Sequence, residues 1–373
     1  MLGSSFSINQ KLKRVQHDKR TMKLIAGTDK GLLIFSKVND TWTYTDIHFI
    51  GLPIGYFHND LRNNTWWVAI NHKHWGPKLY KSLDEGETFT EVASPKFNQD
   101  TGQSVKSIWT ISHGNQDDVN TFYIGVEPAA IFRTSNGGQS FDELNGLSSH
   151  PSRASWQGGG KGSNHPFLHT ILVDEADKDH LTVGISSAGV FQSYNAGENW
   201  EPTNNGLDAF FLPESNVIVG HDPHAMKVPI SNLNVVWQQN HCGIYRSEDK
   251  GMSWKNVTDK NGFANYGFAI VQSDTDDKTA WVIPAQSDHM RIPHNCQLAV
   301  YKTHDAGENW RALTNGLPQN GAFDLILRAG FIGKGANLAF GSNNGNLYFS
   351  ADEGESWEVV SQNLSAIRSV SLV

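Results

Sequence analysis

One short polar motif recurs six times along the chain, and no other feature limits the possible folds as strongly. Each copy has the form Ser/Thr-x-Asp/Asn-x-Gly-x-Ser/Thr/Asn-aromatic. The copies begin at intervals of 52, 59, 54, 56 and 47 residues, at Ser82, Thr134, Ser193, Ser247, Thr303 and Ser350. A period of this length in a strand-rich sequence predicts a radial or stacked repeat fold.

The chemistry of the motif indicates a tight turn between two strands. Short polar side chains at its first and third positions can bond backbone groups inside such a turn. The glycine that all six copies share suits a backbone with positive φ. A short apolar strand precedes every copy, and a seventh such strand, Gly31–Ser36, is followed by a degenerate turn that ends at Trp42. The sequence therefore predicts seven strand-rich units.

The motif resembles the Asp-box (BNR) repeat of the sialidase-like, WD40-YVTN-BNR-like β-propeller superfamily. The resemblance implies an all-β, seven-bladed β-propeller over residues 22–373 as a single domain, with Asp-box turns joining the third and fourth strands of a blade. Blade 1 lacks an innermost strand, and we expect Ile367–Val373 to supply it and close the ring. Residues 1–21 are polar and basic, and we expect a disordered extension there. Since Asp-boxes occur in glycosidases and in non-catalytic proteins alike, the resemblance bears on fold rather than activity.

Composition excludes several classes of partner. The formal net charge is −8, and no basic stripe indicates nucleic acid. No apolar run is long enough to cross a bilayer. The amino-terminal segment lacks the apolar core of a signal peptide, so we expect a cytoplasmic location. The only cysteines, Cys242 and Cys296, do not make a disulfide framework.

Histidines concentrate on one expected face of the propeller. Strands alternate in direction, so the Asp-box turns share one face, and the opposite face should carry the functional site. Of the 16 histidines, these fall on that opposite face: His58, His72, His74, His150, His165, His169, His221, His224, His241, His289 and His294.

Alignment of the expected innermost strands sharpens this pattern. One axial level holds His58, Trp109, His169, His224, Phe268, Asp324 and Arg368. We expect His58, His169 and His224 to bind a divalent transition metal (Zn, Fe, Mn or Cu), with His241 as a fourth ligand or as a base. Two alternatives remain open: a metal-free site with a histidine base, and histidines with a structural role. A register error of one residue would turn other side chains to the axis.

Further residues are candidates for catalysis or substrate binding. Asp324 and Arg368 are expected to flank the substrate as catalytic groups together with His241, and Arg368 suits an anionic substrate. Carboxylates that could orient imidazoles or transfer protons are Asp60, Glu127, Asp222, Asp288 and Asp324. The substrate-binding candidates are Trp109, Glu127, Phe268, Arg291 and Arg153, the last in the glycine-rich loop Leu147–Asn164.

Three functions are consistent with these features. The first is a metal-dependent hydrolase, lyase or oxygenase acting on a small, anionic substrate. The second is a sialidase-like glycoside hydrolase that uses arginines and the carboxylates of Asp60 and Asp324. Arg291-Ile-Pro293 looks like the Arg-Ile-Pro motif of sialidases, but it lies in blade 6, and no sialidase catalytic residue is carried over. The third is a non-catalytic binding scaffold. The expected partner is a small-molecule or saccharide substrate.

Overall fold

The chain forms an all-β, seven-bladed β-propeller in which each blade is a four-stranded antiparallel sheet. The computed structural model describes residues 22–158, 164–214, 217–260 and 262–373. The extension expected at 1–21, and residues 159–163 of the glycine-rich loop, lie outside the described residues. Within them, α1 (Asn145–Ser148) is a single short turn of helix, and no helix is long and apolar enough to cross a membrane.

The blades follow one another along the chain. Blade 1 contains β1 (Lys23–Thr28), β2 (Gly31–Val38) and β3 (Thr41–His48), to which a strand from the carboxyl terminus is added. Blade 2 consists of β4 (Ile54–Asp60), β5 (Thr65–His72), β6 (Gly76–Ser82) and β7 (Thr90–Val92). Blade 3 consists of β8 (Ser107–His113), β9 (Phe122–Glu127), β10 (Ala130–Thr134) and β11 (Asp142–Glu143). Blades 4 and 5 consist of β12 (Leu168–Val173), β13 (Leu181–Ile185), β14 (Gly189–Ser193) and β15 (Glu201–Pro202), and of β16 (Pro223–Lys227), β17 (Val236–Asn240), β18 (Gly243–Ser247) and β19 (Lys255–Asn256). Blades 6 and 7 consist of β20 (Gly267–Gln272), β21 (Ala280–Pro284), β22 (Val300–Thr303) and β23 (Arg311–Leu313), and of β24 (Phe331–Lys334), β25 (Asn337–Gly341), β26 (Leu347–Ser350) and β27 (Glu358–Ser361).

The carboxyl-terminal strand closes the ring, as predicted. β28 (Ile367–Leu372) is the innermost strand of blade 1 and pairs antiparallel with β1. The backbone of Lys23 exchanges two hydrogen bonds with Val373, at 3.0 and 2.9 Å. Ile367 is fully buried beneath this pairing. The two ends of the propeller are thereby joined, and neither β1 nor β28 is left as an open sheet edge.

The six repeated turns share one hydrogen-bonding pattern. In the first, Ser82 Oγ donates to Asp84 Oδ1 at 2.7 Å and accepts from the backbone N–H of Gly86 at 2.9 Å. Asp84 Oδ1 also accepts from the N–H of Thr88 at 2.9 Å. Gly86 has a φ of 91°, which explains the glycine in every copy. The polar residues therefore satisfy the backbone groups of the turn internally.

The packing between blades buries the second strand of each sheet. β13, β17 and β21 are buried at every position, since each lies between two neighbouring blades. Trp237 on β17 and Trp281 on β21 are almost fully buried. Because the second strands are enclosed, a ligand in the central channel would meet side chains of the innermost strands and of the loops at the channel mouth.

A bulge near the start of the innermost strand sets which residues face the funnel, as the mouth of the central channel opposite the repeated turns is called here. The strand pairing is interrupted at this place in six blades. The bulged residues are Gly55, Trp109, His169, His224, Phe268 and Arg368. In blade 7 a single 3-10 turn, Arg328–Gly330, precedes β24 instead.

This register corrects two assignments. His58 lies three residues beyond the bulge of blade 2, where Gly55 occupies the funnel position. Asp324 lies in the loop ahead of β24 and not on the innermost strand of blade 7, because that strand begins at Phe331. Neither a bulge nor the length of an irregular loop has a hydrophobic period, so the sequence pattern could not show them.

Candidate functional site

Blade 5 brings one carboxylate and two imidazoles together in the funnel. Asp222 immediately precedes β16, His224 is its bulged residue, and His241 follows β17. The backbone N–H of His241 donates to the Asp222 carbonyl at 2.9 Å, which holds the two loops together. Asp222 Oδ2 lies 3.3 Å from His224 Nε2 and 3.4 Å from His241 Nδ1. One ligand atom from each residue lies within 4.8 Å of the others, a spacing that a single metal ion can bridge.

The tautomer of His224 is set by its other nitrogen. Nδ1 lies 2.5 Å from the carbonyl oxygen of Gly267, and since a carbonyl can only accept, Nδ1 carries the proton. In a neutral imidazole, Nε2 then presents a lone pair to the Asp222 carboxylate at 3.3 Å. Two lone pairs at this distance repel, so a proton or a metal ion must lie between them.

Burial and neighbouring charges shift the pKa values of His224 and Asp222. Burial lowers the pKa of His224, and the nearby Asp222 carboxylate only partly offsets this effect. Burial acts to raise the pKa of Asp222, but His224, His241 and Arg328 together hold it well below its usual value. An ionised carboxylate and a neutral His224 imidazole are the forms in which these two groups bind a divalent metal.

Two of the predicted metal ligands do not join this cluster. His169 uses both ring nitrogens within the protein, with Nδ1 2.9 Å from Thr170 Oγ1 and Nε2 2.8 Å from the carbonyl of Pro223. His58 lies against His113, with ring centroids 5.8 Å apart, further down the channel. Of the four predicted metal ligands, the structure thus brings together His224 and His241, with Asp222 as the third member of the cluster.

Arg328, which no sequence pattern indicated, lies over the aromatic wall of the funnel. Its Cζ atom is 4.9 Å from the ring centre of Phe167, 5.5 Å from that of Phe268 and 5.6 Å from that of Trp109. Within the described chain Arg328 makes no hydrogen bond or ion pair, and its buried Nε lacks an acceptor. Burial lowers its pKa to about 10, so it remains charged at neutral pH. The residue was not predicted because the sequence alignment put Asp324, instead of Arg328, at the funnel position of blade 7.

Arg368 and Asp324, the two other predicted catalytic residues, are occupied by structural contacts. Arg368 forms a bidentate ion pair with Asp29, with both bonds at 2.7 Å, and this hydrogen bonding raises the pKa of Arg368. Asp324 is buried and accepts a hydrogen bond from Asn346 at 2.7 Å. Neither contacts the Asp222 cluster in the described residues, so His241 alone of the three lies in it.

Four of the five substrate-binding candidates lie at the funnel. Trp109 stacks on Phe167 with 3.9 Å between ring centres and donates to Glu127 Oε2 at 3.2 Å. Phe268 stacks on His224 at 4.5 Å, and Arg291 Cζ lies 5.2 Å from the Phe268 ring. Arg291 is ion-paired with Asp288.

Arg153 is the exception, because it packs away from the funnel. Its Cζ lies 4.6 Å from the ring centre of Trp156. Trp156 in turn contacts Phe191 on β14, the third strand of blade 4. Arg153 therefore belongs to the outer part of the blade.

The two carboxylates expected for a glycosidase lie on opposite faces. Asp60 ends β4 and is ion-paired with Arg62 at 2.7 Å, beside the carbonyls of Asn115 and Asp118 in a loop on the repeated-turn face. Asp324 lies in a loop on the funnel face. They cannot flank one glycosidic bond, which would require about 5–10 Å between them.

Cys242 and Cys296 are free thiols.

Comparison with known proteins shows the β-propeller fold but identifies no family or activity. No protein-family model matches the sequence, and no curated protein matches it. Among solved structures, an ancestral GH74 enzyme has a TM-score of 0.56 at 14% identity; the match covers 84% of this chain but only 39% of that one. A YCF48 protein bound to a D1 peptide has a TM-score of 0.51 at 15% identity, covering 83% of this chain and 81% of that one.

A functionally unknown protein from Desulfotomaculum acetoxidans also matches, with a TM-score of 0.56 at 11% identity, over 94% of this chain and 98% of that one. These identities are too low to carry an activity from one protein to another. The chain is thus similar to β-propellers that include an enzyme and a peptide-binding protein, and it has the β-propeller fold.

Proposed function

We propose that this protein is a metal-dependent enzyme that acts on a small anionic substrate in the funnel. Asp222, His224 and His241 are the proposed ligands of a divalent transition metal, and Arg328 is the proposed anchor for the anionic group. The observation that carries the proposal is the lone pair of His224 Nε2 facing the Asp222 carboxylate at 3.3 Å.

The residues around the cluster fit a metal centre. The Gly267 carbonyl orients His224, as the outer contact of a metal-binding histidine usually does. Asp222 and His241 are only partly buried, so solvent or substrate can reach an open coordination position. Three protein ligands with one open position are the arrangement of catalytic rather than structural metal sites.

A bound metal would polarise a substrate oxygen or lower the pKa of a water molecule. The protein's own groups would do the rest. Arg328 would hold the anionic group, since a guanidinium without an internal partner can give both of its forked N–H groups to a carboxylate or phosphate. The rings of Trp109, Phe167 and Phe268 would exclude water from that contact. Two histidines and one carboxylate suit Zn, Mn or Fe, so the proposal includes hydrolysis, lyase chemistry and oxygen chemistry.

We also propose that the six repeated turns are Asp-boxes in the sense of the BNR repeat. The shared hydrogen bonds of Ser82, Asp84 and Gly86, and of their equivalents, support this assignment.

A second function is supported by the wall of the funnel. Arg328 together with the stacked pair Trp109 and Phe167 would bind a ligand even if no reaction followed. The similarity of the fold to a YCF48 protein bound to a D1 peptide is consistent with a binding function. If the protein bound its ligand without a metal, the scaffold function would be favoured over the metal-dependent enzyme.

The test is elemental mass spectrometry of purified protein, before and after reconstitution with Zn, Mn, Fe and Cu. We expect about one transition metal per chain in the wild type, and a strong loss in folded Asp222→Asn and His241→Ala variants. His289→Ala is the matched control, because His289 is an exposed histidine on the same face. No metal after reconstitution, or equal retention in all four proteins, would refute the enzyme proposal and leave the scaffold function.

A further inference from the structure

Below the funnel, one ring of equivalent residues around the central channel, called a level here, contains a lysine but no acidic residue. This level is three residues beyond the bulge, or about 10 Å further along the innermost strands at 3.3 Å per residue. Counted by the strand pairing, it consists of Ser371, His58, Ser112, Leu172, Lys227, Val271 and Ile332. All of these except Val271 are partly reached by solvent.

Lys227 has no counter-charge at this level. It ends β16, and within the described chain its ammonium makes no hydrogen bond or ion pair. Burial lowers its pKa, and no carboxylate of the described residues forms an ion pair with it. An enclosed ammonium without a partner is unfavourable unless it loses its proton or acquires an anion.

His58 supplies a second unused nitrogen in the same space. Its Nε2 is buried and has no hydrogen-bond partner in the protein. Burial lowers the pKa of His58 to about 3; His113, Arg62 and Lys227 add to this effect, and Asp60, which is ion-paired with Arg62, only partly offsets it. The imidazole is therefore neutral at neutral pH and can donate one N–H. The strand pairing places His58 in blade 2 and Lys227 in blade 5 at the same height along the channel.

The rest of the level limits what can bind there. Ser112 and Ser371 offer hydroxyl groups, and Leu172, Val271 and Ile332 are aliphatic. Leu172 and Ile332 also pack against the apolar clusters between blades. A ligand in this space would meet one full positive charge and a few neutral donors, which suits a single negative charge of small radius.

We propose that Lys227 and His58 bind a small monovalent anion, such as chloride, in the lower channel. Ser112 and Ser371 are the additional hydroxyl donors available to it. The site is separate from the funnel cluster and uses neither Arg328 nor Asp222. Its existence does not depend on the metal or on any catalytic activity.

The test is anomalous diffraction from crystals in which bromide replaces chloride. We expect a bromide peak within hydrogen-bonding distance, about 3.2–3.5 Å, of Lys227 Nζ. Lys227→Met should abolish the peak, and Lys227→Arg, which keeps the charge, should retain a peak in the lower channel. Arg328→Met should leave this peak in place while removing any bromide in the funnel, so the two sites are distinguished.

Thermal unfolding in solution is a second test, which can also be applied to a variant that does not crystallise. Thermal unfolding of the wild type should shift upward as bromide replaces a large organic anion at constant ionic strength. The shift should be lost in Lys227→Met and kept in Lys30→Met, a control at an exposed lysine. Absence of a peak at Lys227, or a shift that Lys227→Met leaves unchanged, would overturn the proposal.

Discussion

Ring closure by β28 makes a quantitative prediction for Ile367. This side chain is fully buried, packs with Ala26 and Leu347 in the cluster between blades 7 and 1, and fills the space left open by Gly341. Ile367→Ala removes three carbon atoms from a site that cannot collapse, because strands on both sides are held by sheet pairing. Substitutions of this kind cost about 2–5 kcal/mol. The free energy of unfolding of a whole protein is only about 5–15 kcal/mol, so this loss would be a large share of it.

The assay is equilibrium unfolding in urea, followed by tryptophan fluorescence and by circular dichroism. Val359→Ala is the matched control, since Val359 lies on the outer strand β27 and is 48% exposed; it should change the free energy of unfolding by less than about 0.5 kcal/mol. Removal of residues 367–373 should prevent cooperative folding altogether. An Ile367→Ala variant as stable as the control, or a truncated chain that still unfolds cooperatively, would refute the role assigned to β28.

Three further predictions concern the repeated turns and the thiols. Thr88 and Ser82 lower the pKa of Asp84 to about 2 by hydrogen bonding. A carboxyl group whose folded pKa is depressed stabilises the protein above its unfolded pKa of about 3.9, and this contribution is lost as the pH falls towards 2. The urea midpoint should therefore fall less between pH 5 and pH 2.5 in Asp84→Asn than in the wild type; equal slopes would contradict this. Gly86→Ala should destabilise far more than Gly76→Ala: both glycines have positive φ, but a Cβ at Gly86 would collide with Trp66, whereas Gly76 faces open space. Equal losses would exclude the collision. In a thiol titration of the native protein, Cys296 should react and Cys242 should not, since burial raises the pKa of Cys242 to about 12; two fast thiols would contradict the burial of Cys242.

The architecture was predictable because the repeated turns are a local signal. Six glycines with the same φ requirement set the period, and the degenerate turn at Trp42 together with the strand from Ile367 accounted for the seventh blade. Polar residues that bond within four positions of one another carry their structure in the local sequence.

The site was predictable only in part, because it depends on bulges and loops. His224, His241, Trp109 and Phe268 were placed correctly at the funnel, since each is adjacent to a regular strand. Arg328 was missed because it lies on a 3-10 turn that replaces the bulge of blade 7. The contact of Asp222 with both imidazoles depends on a backbone hydrogen bond between two loops, which no periodicity shows.

The proposed binding of one metal ion by Asp222, His224 and His241 is tested most directly by anomalous diffraction at the metal absorption edge, from crystals of the reconstituted protein. We expect a single peak about 2.0–2.2 Å from His224 Nε2, from one nitrogen of His241 and from a carboxylate oxygen of Asp222. A fully occupied metal elsewhere, or an empty cluster in protein that has been reconstituted, would contradict it.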